Sequence, residues 1–232
     1  MRVTYHGHSV VSIESNQGVR LIIDPFITGN PLTDLKVEDV EVDYILVTHG
    51  HNDHIGDTVE LALQTQATVI AIPEIIQFVD QQGVVNQHGM NIGGQYKFPF
   101  GTVKMVFAQH SSGYDNGQEM VYLGEPVGFV IQMDGYTLYH AGDTAYFSDL
   151  KILREDFDID VAFLPIGDNF TMGLRDAAKA SDLIQAKTVV PMHYNTFPVI
   201  TQDPEEFIKL LPDGVGQVLK VGQAMQFIKN EK

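Results

Sequence analysis

Imidazole and carboxylate side chains are concentrated in the stretch THGHNDHIGD, residues 48–57, which directly follows a short apolar run. His49 and His51 are two positions apart, so in an extended chain both side chains leave the same side, about 6–7 Å apart at the backbone. That spacing allows two imidazoles to bind one divalent ion. Asp53 and His54 follow at the predicted start of a helix, where adjacent side chains diverge, and this arrangement suits a second ion beside the first.

Three further candidate ligands lie at the ends of predicted strands. His110 ends KMVFAQH, Asp143 ends TLYHAGD and His193 ends TVVPMH, and each follows an apolar run as His49 does. We therefore expect all of them to meet on one rim of the folded chain. The chain contains no cysteine, so a metal site can use only nitrogen and oxygen ligands. Neutral imidazole and carboxylate favour zinc, manganese or iron over calcium or magnesium.

The composition of the chain excludes several classes of protein. The 232 residues carry a formal net charge of −16 and only 14 Lys and Arg residues, which disfavours sequence-independent binding to nucleic acid or to anionic membranes. No apolar run approaches the roughly 20 residues of a membrane helix. The opening residues MRVTYHGHS lack the apolar core of a signal peptide, so we expect a cytoplasmic protein.

The candidate ligands must be positioned by a mixture of strands and helices. Hairpin patterns predict paired strands at 9–15 with 19–25 and at 127–133 with 136–141, further strands at 43–48, 68–72, 103–108, 160–165, 188–191, 217–220 and 225–229, and helices at 54–66, 73–82, 174–186 and 204–211. The same number of residues separates four pairs of identical residues, Gly18 and Gly135, Leu21 and Leu138, Asp43 and Asp160, and Gly50 and Gly167. We therefore expect one α/β domain over residues 1–232, built from two similar halves, with two packed sheets and helices outside.

The order H-x-H-x-D-H, then a lone His, an Asp and a last His after successive strands, resembles the metallo-β-lactamase superfamily. The resemblance implies a four-layer αββα sandwich and a pair of divalent ions. It implies one ion on His49, His51 and His110, a second on Asp53, His54 and His193, and Asp143 as a bridge between them. The segments HGHSVVSIES, LIIDPF, PIGDNFTMG and PMHYNTFP are similar to a subgroup of small metal-dependent hydrolases, related to ascorbate-6-phosphate lactonase and to the phospholipase D that cleaves N-acyl-phosphatidylethanolamine.

Further residues receive supporting roles in this hypothesis. The resemblance implies that Asp24, at the end of the LIID segment, orients a metal-binding histidine. We expect Asp53 to hold the proton of the nucleophile and His8 to meet the leaving group, whereas His6 has no motif support and is predicted to be structural. The loops 168–172 and 194–196 follow rim-facing strands, and the residues expected to contact the substrate there are Asn169, Thr171 and Asn195.

The resulting hypothesis is a dinuclear hydrolase in which a hydroxide bridging two metal ions attacks a small anionic ester, either a phosphodiester or a lactone. Zinc is the first choice of metal, and manganese and iron fit the same ligand types. His51 stands where oxygen-reducing diiron members of the superfamily carry Glu, which disfavours redox chemistry. The alternative is a non-catalytic metal-binding or ligand-binding module of the same fold. The sequence leaves homo-oligomerisation open.

Overall fold

The computed structural model describes residues 1–228, which form fifteen strands, six α-helices and three short 3-10 helices. The strands are β1 (Arg2–Tyr5), β2 (Val11–Glu14), β3 (Arg20–Ile23), β4 (Tyr44–Leu46), β5 (Thr68–Ala71), β6 (Gln87–Gly89), β7 (Gln95–Phe98), β8 (Gly101–Phe107), β9 (Gly113–Asp115), β10 (Met120–Tyr122), β11 (Val127–Met133), β12 (Tyr136–His140), β13 (Val161–Pro165), β14 (Thr188–Met192) and β15 (Ala224–Gln226). The α-helices are α1 (Asn52–Ile55), α2 (Thr58–Thr65), α3 (Pro73–Gln81), α4 (Ile152–Asp156), α5 (Leu174–Ile184) and α6 (Pro204–Ile208).

Two mixed sheets contain most of the strands. The first has the order β15-β1-β2-β3-β4-β5-β6 and the second has the order β14-β13-β12-β11-β8-β7. In the first sheet the antiparallel pair β2 and β3 is followed by the parallel strands β4 and β5. In the second sheet the antiparallel pair β11 and β12 is followed in the same way by β13 and β14. The carboxyl ends of the parallel strands therefore lie together at one edge of each sheet.

Apolar residues place the strands in the interior and one face of each helix against it. All five residues of β13 are buried, as expected for a strand covered on both faces. Helix α5 buries Ala177, Ala180, Ser181 and Ile184, which form a single stripe at the spacing of an amphipathic helix. No helix in the described part of the chain has the length and apolarity needed to cross a bilayer.

Equivalent hydrogen bonds connect the hairpin and the following parallel strand in the two sheets. The Asp43 carboxylate accepts a hydrogen bond from the Arg20 amide at 2.8 Å, and the Asp160 carboxylate accepts one from the Thr137 amide at 2.8 Å. The amide of each aspartate donates back to the carbonyl of the same partner, at 2.8 Å in both cases. The two halves thus share this local arrangement. Asp43 and Asp160 are also one of the pairs of identical residues that the same sequence separation connects.

The helix expected at residues 54–66 is interrupted after one turn. Gly56 has a φ of 40°, and a Cβ at this position would lie 2.4 Å from the Pro25 carbonyl oxygen. Only glycine permits this conformation and this close approach. The chain therefore forms α1 and α2 as separate helices, and the break fixes α1 beside the loop that contains Asp24.

Other differences from the sequence-based expectations are at the ends of elements and in short strands. The strand expected at residues 217–220 is absent from the described residues, where only an isolated bridge joins Val189 and Gly216. The strand expected at 225–229 is Ala224–Gln226, and residue 229 lies outside the described residues. The helix expected at 204–211 ends at Ile208. Five strands were not predicted, because three or four residues are too few to show a clear alternating pattern; these are β1, β6, β7, β9 and β10.

Candidate metal centre

Two clusters of histidine and aspartate lie side by side at the rim of the sheets. The first comprises His49, His51, His110 and Asp143, and the second comprises His8, Asp53, His54 and His193. Within each cluster, one ligand-capable atom from every residue lies within 4.8 Å of those of the others. The structure thus brings together all seven of the ligands expected from the sequence, and it adds His8 to them.

The ends of strands position these side chains. His49 and His51 follow β4, and Asp53 and His54 lie in α1. His110 follows β8 in the second sheet. Asp143 comes shortly after β12, and His193 directly after β14. Parallel strands present their carboxyl ends at the same edge, so residues far apart in the sequence converge there.

One oxygen of Asp143 is the point around which four imidazoles gather. Asp143 Oδ2 lies 3.0 Å from His193 Nε2, 3.3 Å from His54 Nε2, 3.5 Å from His110 Nε2 and 4.0 Å from His49 Nε2. These histidines come from both clusters. The side chain of Asp143 is 3% exposed, so its charge is held inside the protein among the four rings.

Asp24 orients His54 by a buried hydrogen bond. His54 Nδ1 lies 2.8 Å from Asp24 Oδ2, and both side chains are fully buried. A carboxylate can only accept, so His54 Nδ1 carries the proton and donates it. In a neutral ring, His54 Nε2 then presents a lone pair toward Asp143, as a metal ligand requires. Asp24 has a φ of 48°, an uncommon conformation that clusters at functional sites.

The same carboxylate reaches His49 through Thr48. Asp24 accepts hydrogen bonds from the Thr48 amide at 2.8 Å and from the Thr48 hydroxyl at 2.6 Å. Because its own proton is given to Asp24, Thr48 Oγ1 accepts from His49 Nδ1, 3.0 Å away. His49 Nε2 is thereby left as the acceptor, and it faces His51 Nδ1 at 2.9 Å. Asp24 therefore sets the tautomer of one histidine in each cluster.

Several buried polar atoms of the centre have no hydrogen-bond partner within residues 1–228. These atoms are His54 Nε2, Asp143 Oδ1 and both ring nitrogens of His193. Burying a polar group without a partner costs about 1–3 kcal/mol, so a fold that leaves four such atoms together needs a further partner for them. Imidazole nitrogens and carboxylate oxygens are donors for zinc, manganese and iron. The donor set therefore fits metal ions.

The protonation states in the first cluster suit cation binding. Burial lowers the pKa of His49, and the neighbouring His54 lowers it further. Burial also lowers the pKa of His51 and that of His110. Burial opposes the charge of Asp143, but the nearby histidines outweigh it and hold the pKa of this carboxyl well below its usual range. Three neutral imidazoles and one carboxylate are the forms that bind a metal ion.

For His54 and Asp53 of the second cluster, nearby charges outweigh burial. Burial lowers the pKa of His54, but Asp143, Asp24 and Asp53 raise it well above its usual value. Burial opposes ionisation of Asp53, yet His54 and the hydrogen bond with His8 hold the pKa of Asp53 well below its usual range. A proton on His54 balances the surrounding carboxylates, and a cation bound at His54 Nε2 would have to displace it.

His8 lies in the interior of the protein beside Asp53. Its ring is fully buried, Nε2 lies 3.2 Å from Asp53 Oδ2, and Nδ1 lies 2.8 Å from Thr196 Oγ1. Burial and the nearby His193 lower the pKa of His8 to about 4. Both ring nitrogens are engaged, and the ring does not line the cavity of the centre. The geometry favours positioning of Asp53 over direct contact with a leaving group.

A cavity of about 350 Å³ opens onto the centre. Besides five of the expected ligands, its walls are Ser111 and Phe170. None of the three residues expected to contact the substrate, Asn169, Thr171 and Asn195, lines it. Asn195 instead accepts a hydrogen bond from the Gln202 amide at 2.8 Å. Phe170, which is 55% exposed, is the residue of its loop that reaches the cavity.

Ser111 is a cavity residue that the sequence analysis missed. Its hydroxyl lies 3.3 Å from His51 Nε2, the ring nitrogen that points away from His49. Its position directly after His110 is the only sequence signal that could have identified it. Ser111 therefore contacts one histidine of the first cluster from the cavity side.

Comparison with known proteins assigns the family. Residues 2–193 match the family described as the beta-lactamase superfamily domain. The chain is also 59% identical to a protein of Geobacillus sp. (strain WCH70) named UPF0173 metal-dependent hydrolase, over 97% of this chain and 100% of that protein. The chain belongs to the metallo-β-lactamase superfamily. The predicted enzyme class, a metal-dependent hydrolase of this superfamily, is confirmed.

Solved structures of other proteins share the fold. Igni18, described as a novel metallo hydrolase from the archaeon Ignicoccus hospitalis, superposes with a TM-score of 0.86 at 36% identity and covers 99% of both chains. An isothiocyanate hydrolase from Delia radicum gut bacteria superposes with a TM-score of 0.78 at 19% identity, over 98% of this chain and 99% of that chain, which shows the fold alone. The predicted four-layer αββα sandwich is confirmed.

Proposed function

We propose that this hydrolase uses a dinuclear centre in which Asp143 bridges two divalent ions. One ion would be held by the first cluster's three histidines, His49, His51 and His110, and the other by Asp53, His54 and His193. The observation that carries the proposal is the position of Asp143 Oδ2, which lies within 4.0 Å of Nε2 atoms from four histidines drawn from both sets. A carboxylate between two groups of imidazoles is suited to share its oxygens between two cations.

Two bound ions would supply an activated water as nucleophile and would polarise the oxygen of the bond that is cleaved. Zinc remains the first choice of metal, with manganese or iron as alternatives of the same ligand preference. The chain's own residues then orient and move protons. Asp53 lines the cavity and accepts from His8 Nε2, so its carboxylate is held in one direction and can receive the proton of the attacking water.

The cavity supports a small substrate. Its volume of about 350 Å³ is at the lower end for ligand sites, and Phe170 supplies an apolar wall beside the ligands. Five imidazoles and two carboxylates facing two dications would leave the centre positively charged before a nucleophile binds, which attracts an anion despite the acidic chain. We therefore propose a small anionic ester, with a phosphodiester or a lactone as the two bonds to compare.

The test is turnover of bis-p-nitrophenyl phosphate and of a simple lactone by the purified protein, before and after chelation and after reconstitution with zinc, manganese or iron. We expect turnover that chelation removes and one of these metals restores, and the preferred substrate identifies the bond. H110Q should lose turnover with either substrate. H88Q is the matched control, because His88 packs against Tyr96 in a tilted arrangement away from the centre. Loaded protein that turns over neither substrate would contradict the ester proposal, and protein that binds no metal would favour a non-catalytic ligand-binding module.

A further inference from the structure

A second polar cavity lies on the outer face of the first sheet, away from the metal centre. It has a volume of about 340 Å³, and its walls come from strands β1, β2 and β3 and from the segment 34–42 that covers them. Val11 and Ile13 of β2 point into the core, so Ser12 between them faces this cavity. Its lining shares no residue with the cavity of the metal centre.

Three side chains of this cavity form a continuous hydrogen-bonded chain. His6 Nδ1 lies 2.8 Å from Asp34 Oδ1, and His6 Nε2 lies 2.8 Å from Ser12 Oγ. The Asp34 carboxylate can only accept, so it fixes the proton of a neutral His6 on Nδ1. His6 Nε2 must then accept, and the Ser12 hydroxyl donates to it. This is the arrangement in which an imidazole can take the proton of a serine nucleophile.

The surroundings keep this arrangement in its reactive form. The His6 side chain is 8% exposed, whereas that of Asp34 is 40% exposed. Burial lowers the pKa of His6, and Asp34 only partly offsets this effect, so the ring is a neutral base. Gly222 packs against the carboxylate, and a Cβ there would lie 2.9 Å from Asp34 Oδ2. Ser12 itself is partly exposed and open to a ligand in the cavity.

Cationic side chains flank Ser12 on the same face of the sheet. Glu14, two residues along β2, pairs with Arg2 of β1 and with Arg20 of β3. Both arginines are therefore diagonal neighbours of Ser12, about 7–8 Å away at the backbone and within reach of their long side chains. Arg20 Nε has no hydrogen-bond partner within the described residues. Arg2 Nη1 lies 3.9 Å from Glu14 Oε2, and Arg20 Nη1 donates to the Glu41 carboxylate, so Arg20 Nε is the group still available to a negatively charged oxygen formed beside Ser12.

We propose that Ser12, His6 and Asp34 form a second catalytic site, which cleaves small esters through an acyl-serine intermediate. Ser12 Oγ bonds to the acyl carbon while its proton passes to His6 Nε2. The carbon–oxygen bond to the alcohol then breaks, and the departing oxygen takes the proton from His6. Water adds to the acyl-serine by the same route and releases the carboxylic acid, which restores the Ser12 hydroxyl. This activity goes beyond the metal centre and revises the structural role expected for His6.

The test is covalent labelling of the metal-loaded protein by a fluorophosphonate probe, which transfers its phosphonyl group to an activated serine with loss of fluoride. The segment from Val3 to Arg20 also contains Ser9 and Ser15, so fragment masses compare three serines within one peptide. We expect a single adduct on Ser12. D34N should slow labelling about tenfold or more, because a general base and its orienting carboxylate contribute at least that factor. S12A should abolish the adduct.

E38Q is the matched control, because Glu38 is an exposed carboxylate of the same covering segment and its side chain does not contact His6. It should be labelled at the wild-type rate, and thermal unfolding of each variant verifies that it is folded. Absence of an adduct on Ser12, under conditions that label a known serine hydrolase, would overturn the proposal. Equal labelling of the three serines, or an unchanged rate in folded D34N, would also overturn it.

Discussion

The rim and the outer face of the first sheet each contain an aspartate–histidine pair. In both pairs the carboxylate contacts Nδ1 of the ring, but the surroundings of Nε2 differ. Asp24 Oδ2 lies 2.8 Å from His54 Nδ1, and Asp34 Oδ1 lies 2.8 Å from His6 Nδ1. At the rim, His54 Nε2 has no hydrogen-bond partner among residues 1–228. On the outer face, the corresponding nitrogen of His6 contacts the Ser12 hydroxyl. The carboxylate fixes the tautomer in both pairs, and the group beyond the ring decides what the imidazole can do.

Burial accounts for the rest of the difference. Asp24 and His54 are fully buried, and Thr48 and the rim histidines surround them. An unpartnered nitrogen in such surroundings is costly unless a cation binds there. Asp34 is 40% exposed, so water can donate a hydrogen bond to its second carboxylate oxygen and no cation is needed. The same pair is thus suited to binding a metal ion in one place and to moving a proton in the other.

Among the substitutions at the rim, removal of Asp143 should reduce turnover and metal content the most. D143A takes away the carboxylate around which four imidazoles converge, and we expect turnover to fall at least about a hundredfold, because even residues that only orient ligands contribute about 10–100-fold. Metal content, measured by elemental analysis, should fall with it. D213N, at an exposed acidic position, is the control. Full turnover with an unchanged metal content in D143A would contradict the bridging role.

Neutralising Asp24 should weaken metal binding without removing a ligand. D24N keeps the size of the side chain but removes the acceptor that fixes His54 and, through Thr48, His49. We expect metal affinity to fall about 10–100-fold, measured by competition with a chromophoric chelator. If D24N binds metal as tightly as the wild type does, the two pairs do not differ in the way described.

Thr48 allows the connection between Asp24 and His49 to be tested separately. T48V removes the hydroxyl that donates to Asp24 and accepts from His49, at nearly constant volume. We expect metal affinity to fall about tenfold, near the lower limit for such orienting contacts. T48S should restore most of the affinity, since it keeps the hydroxyl. A loss in T48S as large as that in T48V would indicate packing rather than hydrogen bonding.

Thr196 should have a smaller effect, on turnover alone. Its hydroxyl donates to His8 Nδ1, and His8 Nε2 contacts Asp53. T196V removes one hydrogen bond from this chain, so we expect kcat to fall about fivefold, corresponding to roughly 1 kcal/mol, with KM and metal content unchanged. T196S should recover the wild-type kcat. A change confined to KM would instead assign Thr196 to substrate binding.

Asp57 should affect stability and leave the metal centre intact. Its carboxylate accepts hydrogen bonds from the amides of Ile27 and Thr28 at 2.8 and 2.7 Å, which anchors the loop after Asp24. D57N should lower the free energy of unfolding by about 1–3 kcal/mol, measured by denaturant titration, with the metal content of the wild type. Loss of metal in folded D57N would extend the orienting role to this residue.

The positions of the seven candidate ligands could be predicted because each follows an apolar strand in a residue pattern that few folds share. The orientation of Asp24 toward a histidine was predicted from the resemblance to the metallo-β-lactamase superfamily. The wall of the cavity could not be predicted in the same way. Asp168 has a φ of 65°, and the Met172 amide donates to the Thr144 carbonyl, so Phe170 rather than Asn169 or Thr171 reaches the cavity.

Contacts distant in sequence account for the remaining differences. His8 contacts Thr196, 188 residues later, and no local pattern indicates this hydrogen bond. The break at Gly56 depends on the approach of the Pro25 carbonyl. The outer-face site combines His6 and Ser12 from a hairpin with Asp34 from a loop, and it has no sequence motif. Periodicity predicts which face a residue occupies, but not which distant side chain meets it there.

The most direct test of the dinuclear centre is the number of metal ions per chain. Purified wild-type protein is reconstituted separately with zinc and with manganese, loosely bound ions are removed, and the metal-to-protein ratio is measured by elemental analysis. A centre bridged by Asp143 predicts roughly two ions per chain for at least one of the metals. A ratio that saturates at about one ion or fewer with both metals would contradict it.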